Sequence, residues 1–150
     1  MLTLHTADRL RTTWDAEPVE GGAVAVEGGR VAAVGRLTDL QERYPGARVR
    51  RWPGDLGPGR VHEGPLPDAP SPRERVHEVL KRGATAVLAE HAGAPGLRAA
   101  AGRNDVAVLT GPRLPAPVLV ADGRADLAVF EDGGACVATV CAGRLVHRRR

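Results

Sequence analysis

The alternation of apolar and polar positions changes period twice, dividing the chain into a β-rich start, a βα centre and a β-rich end. Leu2 and Leu4 alternate with Thr3 and His5. Ala23-Val24-Ala25-Val26 forms a compact apolar strand, Glu27-Gly28-Gly29-Arg30 a turn, and Val31-Ala32-Ala33-Val34-Gly35 the return. This predicts a β-hairpin, because Gly-Gly tolerates the positive φ angles of tight hairpin turns. Leu37, Leu40 and Tyr44 then fall at helical spacing, with Pro45-Gly46 as the stop, and Ala47 to Trp52 is the next predicted strand.

Asp55 to Pro72 is rich in Gly and Pro and predicts a connector. Beyond it Ser71-Pro72 offers an N-cap and first-turn pair, and Val76, Val79 and Leu80 set an apolar stripe on a helix ending at Gly83. Thr85-Ala86-Val87-Leu88-Ala89 is nearly all apolar, as in strands buried on both faces of a parallel sheet. A second helix, about Pro95 to Gly102, leads to Val106-Ala107-Val108-Leu109, giving at least one βαβ unit. After the Pro-rich stretch Gly111 to Pro117, short strands return: Val118 to Val120, Ala125 to Phe130, Cys136 to Ala142 and Arg144 to His147. The strands at the two ends need partners, and each end is the obvious partner of the other.

Composition narrows the function classes. The 150 residues suit one domain or a compact pair of subdomains, and the formal charge of +3 could point to nucleic acid. Yet Lys81 is the only lysine, and abundant Arg, Ala, Gly and Val beside scarce Phe and Tyr carry the imprint of a GC-rich bacterial genome. Arg48, Arg50 and Arg51 accompany one aromatic, Trp52, which makes no stacking platform for single strands, so no nucleic-acid partner is expected. His147-Arg148-Arg149-Arg150 is expected to be a solvated, frayed tail. No apolar run reaches the length of a membrane span and the start lacks a signal-peptide pattern, so a cytoplasmic protein without a membrane partner is expected. Cys136 and Cys141, five apart, face opposite ways in an extended segment and predict no disulfide. No phosphate loop or serine nucleophile elbow is present; the only serine, Ser71, precedes a proline.

The terminal motifs carry a resemblance. Leu4-His5-Thr6-Ala7-Asp8 and the run Glu20 to Gly35 resemble the opening of imidazolonepropionase-like and aminodeoxyfutalosine-deaminase-like members of the amidohydrolase superfamily. Ala125-Asp126-Leu127-Ala128-Val129-Phe130 and Val137 to Val146, closing on Ala142-Gly143-Arg144-Leu145-Val146, resemble their end. The resemblance implies an α+β chain: a composite β-sandwich from residues 1–56 and 118–150, with a small βαβ remnant of a (β/α)8 barrel, a truncated barrel, in residues 57–117. It also implies a structural role for Asp126, fixing a turn through local backbone hydrogen bonds.

Two departures bear on activity. A full barrel takes roughly 250 residues, far more than separate the two β-rich ends. In the family, Pro-Gly-Leu-Val precedes a pair of metal-binding histidines; here Pro58-Gly59-Arg60-Val61 is followed by His62-Glu63-Gly64-Pro65-Leu66, so Gly64 and Leu66 occupy the ligand positions. Catalytic zinc needs about three protein ligands and an open position. The resemblance therefore implies no catalytic or metal residue, and no cofactor. One rebuilt site is open: His62, Glu63, Glu90 and His91 are predicted at the C-terminal ends of adjacent parallel strands, where such folds place ligands, and could take a small polar molecule or zinc. His77 reads as an ordinary helix residue and His5 as a residue near a sandwich edge.

These features lead to a catalytically degenerate amidohydrolase-like protein acting as a binding, scaffolding or regulatory module, as a homodimer or with a protein partner. The alternative is a metal-dependent hydrolase or deaminase acting on non-peptide C-N bonds, with a rebuilt or partner-completed site. Menaquinone biosynthesis enters as a context by analogy alone.

Overall fold

In the computed structural model, which describes residues 1–149, the strands are β1 (Leu2–Leu10), β2 (Val19–Glu20), β3 (Gly22–Glu27), β4 (Arg30–Arg36), β5 (Arg48–Pro58), β6 (Arg60–His62), β7 (Ala84–Leu88), β8 (Ala107–Leu109), β9 (Leu127–Phe130), β10 (Cys136–Cys141) and β11 (Arg144–Arg148). The helices are α1 (Leu37–Arg43), α2 (Pro72–Lys81) and α3 (Leu97–Arg103). None is long and apolar enough to cross a membrane.

Both ends of the chain build one sheet, in the order β11-β10-β9-β5-β1-β3-β4, with β2 on β1. The predicted hairpin is β3 and β4, paired from Gly22↔Arg36 to Glu27↔Arg30. The join between the ends is made by β5, which runs parallel to β1 on one side and antiparallel to β9 on the other. The expected sandwich thus takes the form of one continuous sheet that curls until its far edge meets residues 122–125. There the Val31 N–H donates to Gly123 O and the Ala125 N–H to Gly29 O, each at 2.8 Å.

Alternation along the strands gives this sheet two apolar faces. The inner one packs Leu10, Val24, Val26, Val31, Trp52, Leu56, Leu127, Val129 and Val140 into the main core. The outer one gathers Leu4, Ala23, Ala25 and Ala33 under Leu40 of α1. At about 25 cal/mol per Å2 of apolar surface removed from water, cores of this kind supply the dominant favourable term in folding.

The centre forms a separate three-stranded parallel sheet, β6-β7-β8, crossed by α2 and α3. Ser71 caps α2, its Oγ accepting the Glu74 N–H at 3.2 Å, and Pro72 opens the first turn. Val76, Val79 and Leu80 on α2 and Leu97, Ala100 and Ala101 on α3 pack on Ala84 and Val87 of β7. Cys141 and Val146 of the large sheet join that cluster, and the buried Thr139 hydroxyl donates to Leu80 O at 2.7 Å. Both cysteines are free.

Several local expectations are corrected. Asp55 to Pro58 is strand, although the composition predicts a connector there, whereas Arg60 to His62 is the short parallel strand that the rim placement of His62 and Glu63 requires. The register with β1 slips by one residue around Pro53-Gly54, and this bulge lets β5 carry a proline that lacks a donor. Val118 to Val120 is not a strand: Leu119 is buried and its N–H donates to Thr12 O, but Pro115 and Pro117 remove neighbouring donors, and both valines are exposed. The basic terminus is no frayed tail either, since His147 and Arg148 lie in β11 and the Arg149 guanidinium grips Glu131 at 2.9 and 2.5 Å. Arg150 lies outside the described residues.

Candidate functional site

Parallel strands deliver the loops at their C-terminal ends to one rim, and here β6, β7 and β8 do so with residues 63, 89–90 and 110–112. A cavity of about 620 Å3 opens at that rim, lined by Glu63, Leu88, Glu90, Leu109, Thr110 and Leu114 among others. The four residues read from the sequence divide there. Glu63 and Glu90 border the cavity, both exposed. His62 ends β6, and its Nε2 lies 2.9 Å from Pro65 O, a contact that turns the ring onto its own loop. His91 closes a 3-10 turn, Ala89–His91, and does not line the cavity.

Two carboxylates without an imidazole can attract a cation or an amine, but they cannot by themselves complete a catalytic zinc site. Among the described residues no group of three or more His, Cys, Asp or Glu side chains is placed to hold a metal ion. The positions that the resemblance assigns to metal-binding histidines fit a metal no better. Gly64 offers no ligand, and Leu66, 3% exposed, packs into the core with Val76, Val79 and Leu97. The residues present do not fit the metal that the resemblance implies.

The junction leading to the rim is fixed by packing. A Cβ on Gly57 would stand 2.6 Å from the Trp14 ring, and one on Gly59 would collide with the Thr85 side chain. Trp14 Nε1–H donates to Pro58 O at 2.7 Å. The Arg60 guanidinium lies over the Trp14 and Phe130 rings, 4.6 and 4.1 Å from their centroids. Contacts of that kind are worth about 0.5–2 kcal/mol each. Beside them Asp55 takes both Arg9 and Arg11, the latter at 2.9 Å. Burial opposes ionisation of Asp55, but hydrogen bonds and charge from Arg11 and Arg9 outweigh it and hold the carboxyl below its ordinary value.

Asp126 is a structural residue, but its side chain makes a long-range tie rather than the local backbone hydrogen bonds that the resemblance implies. Its Oδ1 accepts the Ala142 N–H and the Arg124 Nε–H, each at 2.9 Å, tying the start of β9 to the turn between β10 and β11. His77 is exposed on α2. His5 departs from expectation: it is 5% exposed and sits mid-sheet, because β5 pairs with β1 on the side that the sequence leaves open. Its Nδ1 accepts the Trp52 Nε1–H at 3.2 Å. Desolvation, then the charge of Arg50, lowers its pKa to about 4.

Residues 22–47, the hairpin with α1, match the imidazolonepropionase-like composite domain of bacteria. The resemblance to that domain is shown. Among solved structures the fold is shared with Escherichia coli guanine deaminase (17% identity, TM-score 0.55, covering 82% of this chain and 39% of that one). It is shared also with an adenosine deaminase from Xanthomonas campestris with bound zinc (19%, 0.52, 80% and 36%) and with Aspergillus niger ochratoxinase (21%, 0.51, 71% and 29%). At these identities the likeness is one of fold, and this chain spans less than two fifths of the length of each. No curated protein matches it by sequence.

Proposed function

We propose that this chain is a catalytically degenerate amidohydrolase-like protein that serves as a binding, scaffolding or regulatory module. The observation that carries the reading is Leu66: the position of a family metal ligand is filled by a side chain packed in the apolar core. The short centre supports it as well, since β6, β7 and β8, read as a barrel remnant, leave no strands for the remaining ligands of the zinc-bearing relatives. Residues 1–56 with 118–150 form the composite part in this reading, and residues 57–117 the insert.

The edges β6 and β8 of the small sheet favour a homodimer or a protein partner, because natural sheets cover such edges. A small polar ligand fits the module; nucleic acid and membrane do not enter the reading, and its setting is the cytoplasm. Zinc is no part of it.

A second reading, a hydrolase or deaminase acting on non-peptide C-N bonds, rests on Glu63 and Glu90 sharing one cavity at the strand ends. The two readings separate in one experiment. The purified chain, incubated with Zn2+ and offered adenosine, guanine and imidazolone propionate, is expected to release no product above the rate without protein and to keep no stoichiometric zinc after dialysis. Zinc-dependent turnover abolished by Glu63→Gln or Glu90→Gln would replace the first reading with the second. Light scattering at high concentration tests the assembly, a monomer with no captured partner counting against it.

A further inference from the structure

The curled sheet has a second polar opening, remote from Glu63 and Glu90. Alternation along β5 puts Arg48, Arg50 and Trp52 on the inner face, while Val49 turns outward to the cluster under α1. The register pairs Thr3 with Arg48 and His5 with Arg50, so Thr3 and His5 of β1 share that face. Deeper along it lies the apolar core; at this end the same face turns cationic. Arg148 of β11 joins it from across the curl, its guanidinium 5.5 Å from the Trp52 ring centroid.

A cavity of about 390 Å3 occupies this mouth, lined by Thr3, His5, Arg50, Arg144 and the backbone of Gly28 and Gly143 among others. Arg144 is held by Asp105 at 3.1 Å. Arg48, Arg50 and Arg148, by contrast, have no carboxylate of the described residues within 4.0 Å. Of the three, Arg48 and Arg148 are exposed and Arg50 is half-buried, and a half-buried positive charge is expensive unless paired. Burial, then Arg48 and Arg148, hold Arg50 below its ordinary pKa, as unrelieved like charge would. His5 adds a directed donor: with Nδ1 accepting from Trp52, its proton sits on Nε2.

We propose that this mouth is a binding site for a small phosphorylated ligand, with Arg50 as its main contact, His5 and Thr3 as neutral hydrogen-bonding groups and Arg48 and Arg148 supplying field. Arginine forks match the geometry of phosphate oxygens. The volume lies within the range of small-molecule pockets, and the mouths of curled and closed sheets are a recurrent place for them. The proposal goes beyond the module reading: a chain with a rebuilt catalytic rim could carry the same site, so a turnover assay and an anion titration fail independently.

Pyrophosphate is the probe, titrated calorimetrically at low ionic strength in a phosphate-free buffer, with thermal melts alongside. One-to-one binding and a higher Tm with pyrophosphate are expected. Arg50→Gln should weaken binding at least about 10-fold, the loss of one charge-assisted hydrogen bond. The same change should raise the Tm of the unliganded protein, since it relieves repulsion and breaks no ion pair. Arg98→Gln, at an exposed position of α3, should leave both readouts unchanged. The proposal is overturned by absence of binding at millimolar pyrophosphate, by equal binding in Arg50→Gln, or by a lower unliganded Tm in that variant, which would make Arg50 structural. Succinate binding as tightly as pyrophosphate would overturn the phosphate assignment.

Discussion

His5 makes acid stability a quantitative test of how the large sheet is built. The imidazole is buried between β3 and β5, accepts the Trp52 indole N–H, and faces Arg50, conditions that favour its neutral form. Folding lowers its pKa from the ordinary 6.5 to about 4, first through desolvation and then through Arg50. The sign follows from proton counts: between those values the unfolded chain binds a proton that the native chain does not, so stability falls as pH falls through this window. The gap, at about 1.4 kcal/mol per pH unit, costs on the order of 3 kcal/mol at pH 4 relative to pH 7. That is a large share of the 5–15 kcal/mol typical of a domain. Urea unfolding of the native chain and of His5→Gln, whose amide can still accept from Trp52, measures it directly. Asp55 and Glu131, held below their ordinary values, also lose stability as acid protonates them, but they do so equally in both proteins. The native chain should therefore lose about 3 kcal/mol more than the variant between pH 7 and pH 4. Parallel decline of the two would refute the placement of His5.

Other perturbations probe other joints. Leu66→Ala should cost about 2–5 kcal/mol in urea unfolding, the usual range for a buried leucine, whereas Gly64→His should cost little because a Cβ there meets open space. Gly64→His with Leu66→His should consequently destabilise the chain and, if the proposed reading of the centre as a barrel remnant holds, yield no zinc-dependent turnover. Thr139→Val deletes the hydroxyl that holds Leu80 O and should lower stability by about 1–2 kcal/mol, seen as a lower Tm. Gly143→Ala places a Cβ against Gly28 O at a φ of 84°, so a loss of at least about 1 kcal/mol is expected in the same melt.

Local features were legible in the sequence because their causes are local. Gly28-Gly29 sets the β3–β4 turn, and Ser71-Pro72 with the Val76, Val79 and Leu80 stripe sets α2, each within about a dozen residues. What escaped depends on partners far along the chain. Nothing near Asp55 says that β9, more than 70 residues on, will pair with it and draw a Gly- and Pro-rich stretch into a strand. Equally, nothing near His5 says that β5 will cover its open side and bury it. The candidate rim was legible by position and not by orientation. Strand order brought Glu63 and Glu90 to one cavity, but the short loop from His62 to Pro65 lets that imidazole meet a carbonyl three residues away. For the mouth the signal was present: Arg48, Arg50 and Trp52 alternate with Val49, and only the outward packing of Val49 reveals that the arginines face inward.

The stretch from Gly57 to Gly64 is committed to architecture by its packing. Glycine at 57 and 59 is demanded by the Trp14 ring and the Thr85 side chain, and Arg60 is committed to two aromatic faces. A segment held so closely by its neighbours is suited to passing the chain from one sheet to the other. It is poorly suited to presenting groups that must approach and leave a substrate, and the next inward-facing side chain, Leu66, is spent on the core. Polar groups that packing has not consumed are the ones free for function. At the rim these are Glu63 and Glu90, exposed on an open cavity; in the curl they are Arg48, Arg50 and Arg148. Arg50 is the most demanding of these to account for, because the exposed Glu63, Glu90, Arg48 and Arg148 are well hydrated, whereas a half-buried guanidinium at the inner face of a sheet without a facing carboxylate calls for an anion to offset it.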